Sequence, residues 1–251
     1  MKLQTINEHQ KSLYESFDVN GCKNQLLQYQ PYLDRFQNRH DLKILDIGGG
    51  SGNFAFHVKQ YFSNTAVDAY VLDSTSYDSW NDNLLGREIH FICDSVENMD
   101  QLFCENTFDI VFVNRTFHHF VDRTWLKSLA GISKYLISIN RLLKSDGALL
   151  IMDHFCDGLI WDSAASFLVY TATSIKNPII SKVVRKMGGE SAGVGVCFQS
   201  EKMWIQRIRK AGFQIEAMEK RDADKMNLIK KTLLLLKGYK RDNIIWARPQ
   251  K

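Results

Sequence analysis

The sequence predicts an α/β protein built on a mostly parallel, doubly wound sheet, and three observations carry that reading. Five short apolar runs recur with helix-length segments between them, a glycine-rich turn follows the first run, and acidic residues mark the ends of the next two. The runs are 43–47 (KILDI), 69–72 (AYVL), 89–93 (IHFIC), 109–113 (DIVFV) and 148–152 (ALLIM). Each is rich in Ile, Val, Leu or Phe without clean alternation, the pattern of strands buried on both faces. The stretches 54–62, 77–85, 97–103 and 125–143 read as helices, and such alternation implies right-handed crossovers in a parallel sheet. Lys144, Ser145, Asp146 and Gly147 then supply a basic last turn and a turn glycine to end the fourth helix.

Ahead of the first strand, residues 1–40 read as a helical cap, with Phe17, Leu26, Leu27, Tyr29, Tyr32, Leu33 and Phe36 spread over one or two helices. The domain proper is expected over 41–251, with a lid insertion over 155–199. Within it, 157–186 reads as helical and Gly188, Gly189, Gly193 and Gly195 as a hinge. A helix over 201–211 is capped by Ser200 and stopped by Gly212. Strands at 213–219 and 244–248 follow, with a helix over 225–236 whose run from Leu233 to Leu236 reads as a packing face.

Hydrophobic residues make up 45% and charged residues 24% of the 251, which excludes a disordered tail, a collagen-like repeat and a coiled coil. Thirty-two basic against 28 acidic residues leave +4, so no basic face is demanded and nucleic acid is not expected as a partner. Cys22, Cys93, Cys104, Cys156 and Cys197 form no C-x-x-C pair and read as reduced thiols, neither zinc ribbon nor redox motif. The first seventeen residues do not read as a signal peptide, and the apolar window 158–175 is broken by Asp162 and several hydroxyls. A cytoplasmic protein with no membrane partner is expected.

The segment Leu45-Asp46-Ile47-Gly48-Gly49-Gly50-Ser51-Gly52 follows a strand and opens a helix, the context a glycine motif requires. Gly48, Gly50 and Gly52 are spaced G-x-G-x-G, and Asn53 stands where a dinucleotide motif would continue. Asp46 ahead of the first glycine would repel a pyrophosphate and attract a cation. That points to a ligand bearing an ammonium group and no phosphate. Asp73, 21 residues after Gly52, is placed for ribose hydroxyls, and Asp94 ends the third strand.

From Asp46 through Asp73, Asp94, the segment 108–113, Phe117-His118-His119-Phe120 and the turn 142–147 into the fifth strand, the chain resembles the class I S-adenosylmethionine-dependent methyltransferases. The wording is similar to the small-molecule branch that includes ubiquinone and menaquinone biosynthesis methyltransferases. The resemblance implies a Rossmann-like seven-stranded sheet of order 3-2-1-4-5-7-6, its last strand antiparallel, and S-adenosyl-L-methionine as cofactor. It would place Asp46, Gly48, Gly50 and Gly52 at the methionine end and Asn114 beside them. Asp73, followed by Ser74, would take the ribose, and Asp94, Ser95 and Val96 the adenine. Ser74 and Thr75 depart from the apolar residue that often supports the adenine.

Methyl transfer from a sulfonium is an in-line displacement, and alignment alone can lower the barrier by roughly 7–11 kcal/mol. Where the acceptor is a hydroxyl, a base helps, and His118, His119 and His154 are the candidates. Asp153 could orient an imidazole but reads rather as a solvated strand-end carboxylate. Arg115 reads as a partner for an acidic substrate, Asp122 or Asp94. No second acid accompanies Asp153, so no metal is expected. In the insertion, Trp161, Phe167 and Tyr170 suggest a lid that excludes water; its other reading is a surface for a homodimer. Lys176, Lys182, Arg185 and Lys186 give it a basic side. The leading expectation is methyl transfer to oxygen or nitrogen of a small aromatic or heterocyclic metabolite. A methyltransferase of RNA or protein is the competing enzyme, although Asn114-Arg115-Thr116-Phe117 lacks the prolines of base and glutamine amino methylation. A non-catalytic partner subunit that binds the cofactor is the third reading.

Overall fold

The computed structural model describes residues 19–81, 88–186, 191–224, 226 and 228–250. Its strands are β1 (Asp41–Ile47), β2 (Ala66–Asp73), β3 (Ile89–Cys93), β4 (Phe108–Asn114), β5 (Leu143–Gly158), β6 (Phe213–Glu219) and β7 (Leu236–Pro249). They form one sheet in the order β3-β2-β1-β4-β5-β7-β6. β1 runs parallel to β2 and β4, β2 parallel to β3, and β6 antiparallel to β7. The helices are α1 (Val19–Leu33), α2 (Asn53–Tyr61), α3 (Met99–Leu102), α4 (Trp125–Leu142), α5 (Asp162–Ser174), α6 (Pro178–Lys186), α7 (Glu201–Lys210) and α8 (Leu228–Leu233). The strand order reverses between β1 and β4, and ligands of open α/β sheets bind at the carboxyl ends of strands at such a reversal.

The chain divides into two compact units, residues 19–114 with 138–150, and residues 115–137 with 151–250. In the first, β1 and β4 bury nearly every side chain, as a central strand covered on both faces must. Tyr29 of α1, Phe54 of α2 and Phe112 of β4 pack ring against ring at 5.2–5.8 Å. Asp109 is wholly buried, and three donors compensate its charge: Arg39 at 2.7 Å, the Lys43 backbone N–H at 2.8 Å and the Lys144 ammonium at 2.8 Å.

In the second unit, Trp204 of α7 packs on Phe117, and Cys156, Ala165, Val169, Val196 and Leu236 form a core cluster. Ser200 caps α7 through the Met203 N–H, and Gly212 ends it at φ 83°, both as the sequence predicts. All five cysteines are free thiols.

Several predicted elements differ. The expected helix over 77–85 is a single 3-10 turn, Asp78–Asn81, and its later residues lie outside the described ones. The one over 97–103 is a 3-10 turn followed by the short α3. The fourth helix stops at Leu142 and β5 starts at once, so Lys144 serves Asp109 rather than a helix terminus. The helical insertion is two helices, α5 and α6, and Gly188 and Gly189 lie outside the described residues. α8 is shorter than expected because β7 begins at Leu236. The leucine run is therefore split, with Leu233 exposed and Leu236 buried. Of the predicted N-terminal cap, residues 1–18 lie outside the described ones, and the rest is α1, a 3-10 turn at Asp34–Phe36 and a short link to β1.

Candidate active site

The glycine turn takes the shape its spacing predicts: Gly48, Gly50 and Gly52 have φ of 70°, 55° and 82°. A side chain at Gly52 would also strike the Phe91 ring at 2.5 Å. At Gly49 the constraint is different, since a Cβ there would lie 2.7 Å from Asp46 Oδ2. The Asp46 carboxyl is therefore tucked beneath the turn. It is buried, its Oδ1 accepts from the Asn114 amide at 3.4 Å, and its Oδ2 has no hydrogen-bond partner. Asn114 in turn accepts from the Tyr29 hydroxyl at 2.6 Å. Burial, with the nearby charge of Asp73, pushes the Asp46 pKa up to about 8, and the Asn114 hydrogen bond opposes this.

Asp73, at the end of β2, braces the turn: its oxygens accept from Gly50 N–H and Thr75 N–H, each at 3.0 Å. Burial raises its carboxyl above the ordinary value, against the pull of those N–H donors. Ser74 is exposed beside it. Asp94, after β3, accepts from Ser95 N–H at 2.6 Å and Asn98 Nδ2 at 2.8 Å. Ser95 caps the following 3-10 turn, and Val96 is buried. Asp46, Gly48, Gly50, Gly52, Asp73, Ser74, Asp94, Ser95, Val96 and Asn114 thus all fall in the first unit, at the carboxyl ends of β1 to β4.

Two aromatic side chains escaped the sequence reading. Trp80 donates from Nε1 to Gly50 O at 2.9 Å and stacks on Phe91 at 4.8 Å, with Tyr77 buried beside it. Both sit in the segment misread as a helix. The available signal was two aromatics three residues apart just after the ribose-binding candidate, where Ser74 and Thr75 left the apolar support missing.

The second unit gathers His118, His119 and His154. Asp153, expected in solvent, is 1% exposed, and its Oδ1 meets His118 Nδ1 at 2.5 Å. That oxygen also accepts from His154 N–H at 2.7 Å, while Oδ2 has no partner. Burial pushes the His118 imidazole far below its ordinary pKa, the charge of Arg115 adding to the effect, and lifts the Asp153 carboxyl. An imidazole whose Nδ1–H donates a hydrogen bond to a carboxylate presents a bare Nε2, the form of a general base. His154 has the opposite tautomer: its Nδ1 accepts from Asp242 N–H at 3.3 Å, leaving the proton on Nε2. Burial lowers its pKa to about 4 and that of His119 to about 3.

Phe198 and Tyr239 complete a ring cluster: Phe198 lies 4.9 Å from His118 and 5.8 Å from His154, and Tyr239 5.7 Å from His154. Burial pushes the Cys197 thiol up to about 12, so it is no nucleophile at neutral pH. Arg115 pairs with Asp242, through Nε at 2.6 Å and Nη2 at 2.8 Å, a carboxylate outside the expected set of an acidic substrate, Asp122 or Asp94. Neither Asp242 nor Tyr239 carried a local signal, being far along the chain from the histidines. Among the described residues no cluster of three or more His, Cys, Asp or Glu is arranged to hold a metal ion.

A glycine turn over a buried acid, with two further acids at the next strand ends of a 3-2-1-4-5-7-6 sheet, is a layout suited to a nucleoside ligand. Residues 45–151 match the family described as a methyltransferase domain, so the chain carries a methyltransferase domain over that segment. No curated protein matches the sequence. Among solved structures, the PH0226 protein from Pyrococcus horikoshii OT3 is 16% identical over 98% of this chain and 100% of that one, with a TM-score of 0.58. The cyclase SpnF is 15% identical over 91% of this chain and 80% of that one, at 0.57. The mitomycin 7-O-methyltransferase MmcR is 15% identical over 83% of this chain and 49% of that one, at 0.52. At these identities the likeness is one of fold.

Proposed function

We propose that the protein methylates a hydroxyl oxygen of a small aromatic or heterocyclic metabolite, with S-adenosyl-L-methionine as donor. The residues fit that cofactor. Asp46 Oδ2 is a buried acceptor lacking a donor, and an ammonium group would satisfy it and favour its charged form. The glycine turn leaves the room a side chain would fill, and Asp73 keeps lone pairs for a ribose diol. Asp94 would accept from the adenine amino group, with Ser95 and Val96 beside the ring. Bound, the cofactor supplies a methyl group activated by its sulfonium; the chain's own work is to orient the acceptor, exclude water and remove a proton.

The observation that carries the acceptor assignment is the buried His118–Asp153 pair at 2.5 Å. A solvated base would need no such partner. A neutral amine attacking a sulfonium also has less need of a base than a hydroxyl, which favours oxygen over nitrogen. Phe198, from the 155–199 insertion, and Tyr239 supply aromatic surface suited to a planar acceptor. His119 and His154 contribute to that surface rather than to proton removal, His154 offering an Nε2 proton to an acceptor's oxygen.

The test has two stages. Stabilisation by S-adenosylhomocysteine in a thermal-shift assay establishes the cofactor, and no shift, or preference for NAD, would sink the reading. A panel of phenolic and heterocyclic acceptors then identifies the product by mass. Methylation only of RNA or protein would transfer the assignment to the competing enzyme, and binding without turnover on any acceptor would favour a partner subunit.

A further inference from the structure

We infer that the second unit carries a docking surface for an anionic lipid membrane, made by the turn 158–161 and the helix α8. Leu159, Ile160, Trp161, Leu228 and Leu233 are each 60–77% exposed. Five large apolar side chains standing in water on two short segments are not explained by folding, and exposed apolar side chains gathered on neighbouring segments mark interaction sites.

The two segments are built together. Leu159 N–H donates to Leu235 O at 2.7 Å, which joins the turn to the end of α8. The turn itself is fixed: Gly158 N–H donates to Asp162 Oδ1 at 2.8 Å, and a Cβ on Gly158 would lie 2.5 Å from Trp161 O. Leu235, just past α8, has φ 51°, where a helix end ordinarily uses glycine. The apolar tips are therefore held out by defined backbone and not by a chance excursion of a loop.

Charge selects the occupant. Residues 220–241 hold eight basic and two acidic side chains, a net +6 in a chain whose total is +4. Three of the cations are engaged: Lys220 with Glu201, Lys240 with Asp157 and Arg241 with Asp224. Lys237 is exposed and Lys231 half-buried, and neither forms an ion pair among the described residues. Apolar tips, a tryptophan among them, set in a cationic surround match the boundary between acyl chains and anionic headgroups. A second copy of the chain is disfavoured, because a two-fold contact would bring two such cationic surfaces face to face. No helix among the described residues is long and apolar enough to cross a membrane, so the contact is peripheral.

Sedimentation of the full chain with phosphatidylcholine vesicles, with and without phosphatidylserine, tests this. Binding is expected to the anionic vesicles, weakening as salt rises. Ile160→Asp and Trp161→Asp should each lower partitioning by roughly tenfold or more, and Lys237→Gln by about fivefold. An unchanged melting temperature in all three variants shows that the fold is intact. Failure of the wild type to bind anionic vesicles, or equal binding by Ile160→Asp, overturns the proposal. So does a wild-type dimer in solution that Ile160→Asp splits, since the patch would then join two copies of the chain.

Discussion

Arg115 and Asp242 lie 127 residues apart, yet they form a two-point ion pair, and both have left-handed backbone, with φ of 51° and 54°. Each also ties into the histidine unit through its backbone. Arg115 N–H donates to Met152 O at 2.6 Å, and Asp242 N–H donates to His154 Nδ1 at 3.3 Å. Non-glycine residues are held in that conformation only when their surroundings over-determine it. Asp242→Ala loses the pair and keeps the strain, whereas Asp242→Gly loses the pair and releases it. The alanine variant should be less stable than the glycine variant by about 1 kcal/mol in urea unfolding. Equal midpoints would mean that the backbone at 242 stores no strain.

Gly52→Ala meets two obstacles, the positive φ and the Phe91 ring. The variant should lose at least about 2 kcal/mol and bind S-adenosylhomocysteine poorly. Adding Phe91→Leu should restore part of the stability, read by the same denaturant titration.

The buried Asp46 carboxyl makes an unusual pH dependence. Its pKa rises from 3.8 to about 8 on folding, so between those values the folded chain holds a proton that the unfolded chain has released. Its contribution to stability therefore falls as pH rises from about 4 to about 8, and is level above that. Cofactor binding has the opposite sign, because a cationic ligand favours the charged form: affinity should climb with pH up to about 8. Asp46→Asn should be more stable than the wild type at neutral pH and should lose cofactor affinity. Calorimetry across that pH range, in buffers of differing ionisation enthalpy, would detect the released proton.

His118→Ala should keep cofactor affinity and lose roughly 100- to 10,000-fold in turnover. Because burial and the charge of Arg115 depress its imidazole, the acid limb of kcat should lie well below the value of about 6.5 typical of a free histidine. An inflection near that ordinary value, or full turnover in the variant, would remove His118 from proton transfer.

Asp73→Ala takes away the acceptor for Gly50 N–H and Thr75 N–H as well as the ribose contact. S-adenosylhomocysteine affinity should become undetectable by calorimetry. Asp73→Asn should also bind weakly, because an amide offers one acceptor oxygen where the carboxylate offers two. Unchanged affinity in either variant would move the ribose elsewhere.

The sheet was legible because its cues are local: apolar runs, a G-x-G-x-G turn and acids at fixed offsets need no knowledge of distant contacts. The glycine conformations and the Ser200 cap follow from the same kind of cue. Asp153 was misread for the opposite reason. Nothing beside it in sequence shows that it is covered, and its partner lies 35 residues away. Asp242 and Tyr239 were invisible on the same grounds, being delivered by the last strand. Trp80 was hidden by a helix reading of 77–85, where aromatic spacing alone could not distinguish a helix face from a turn braced on Gly50.

The relay from Tyr29 through Asn114 to Asp46 links the first described helix to the innermost acid of the glycine turn. Whatever neutralises that acid also tugs on the tyrosine at the far end. Saturating the protein with ligand should therefore retard amide hydrogen exchange in α1 as well as around the turn, making an outlying helix a reporter of occupancy.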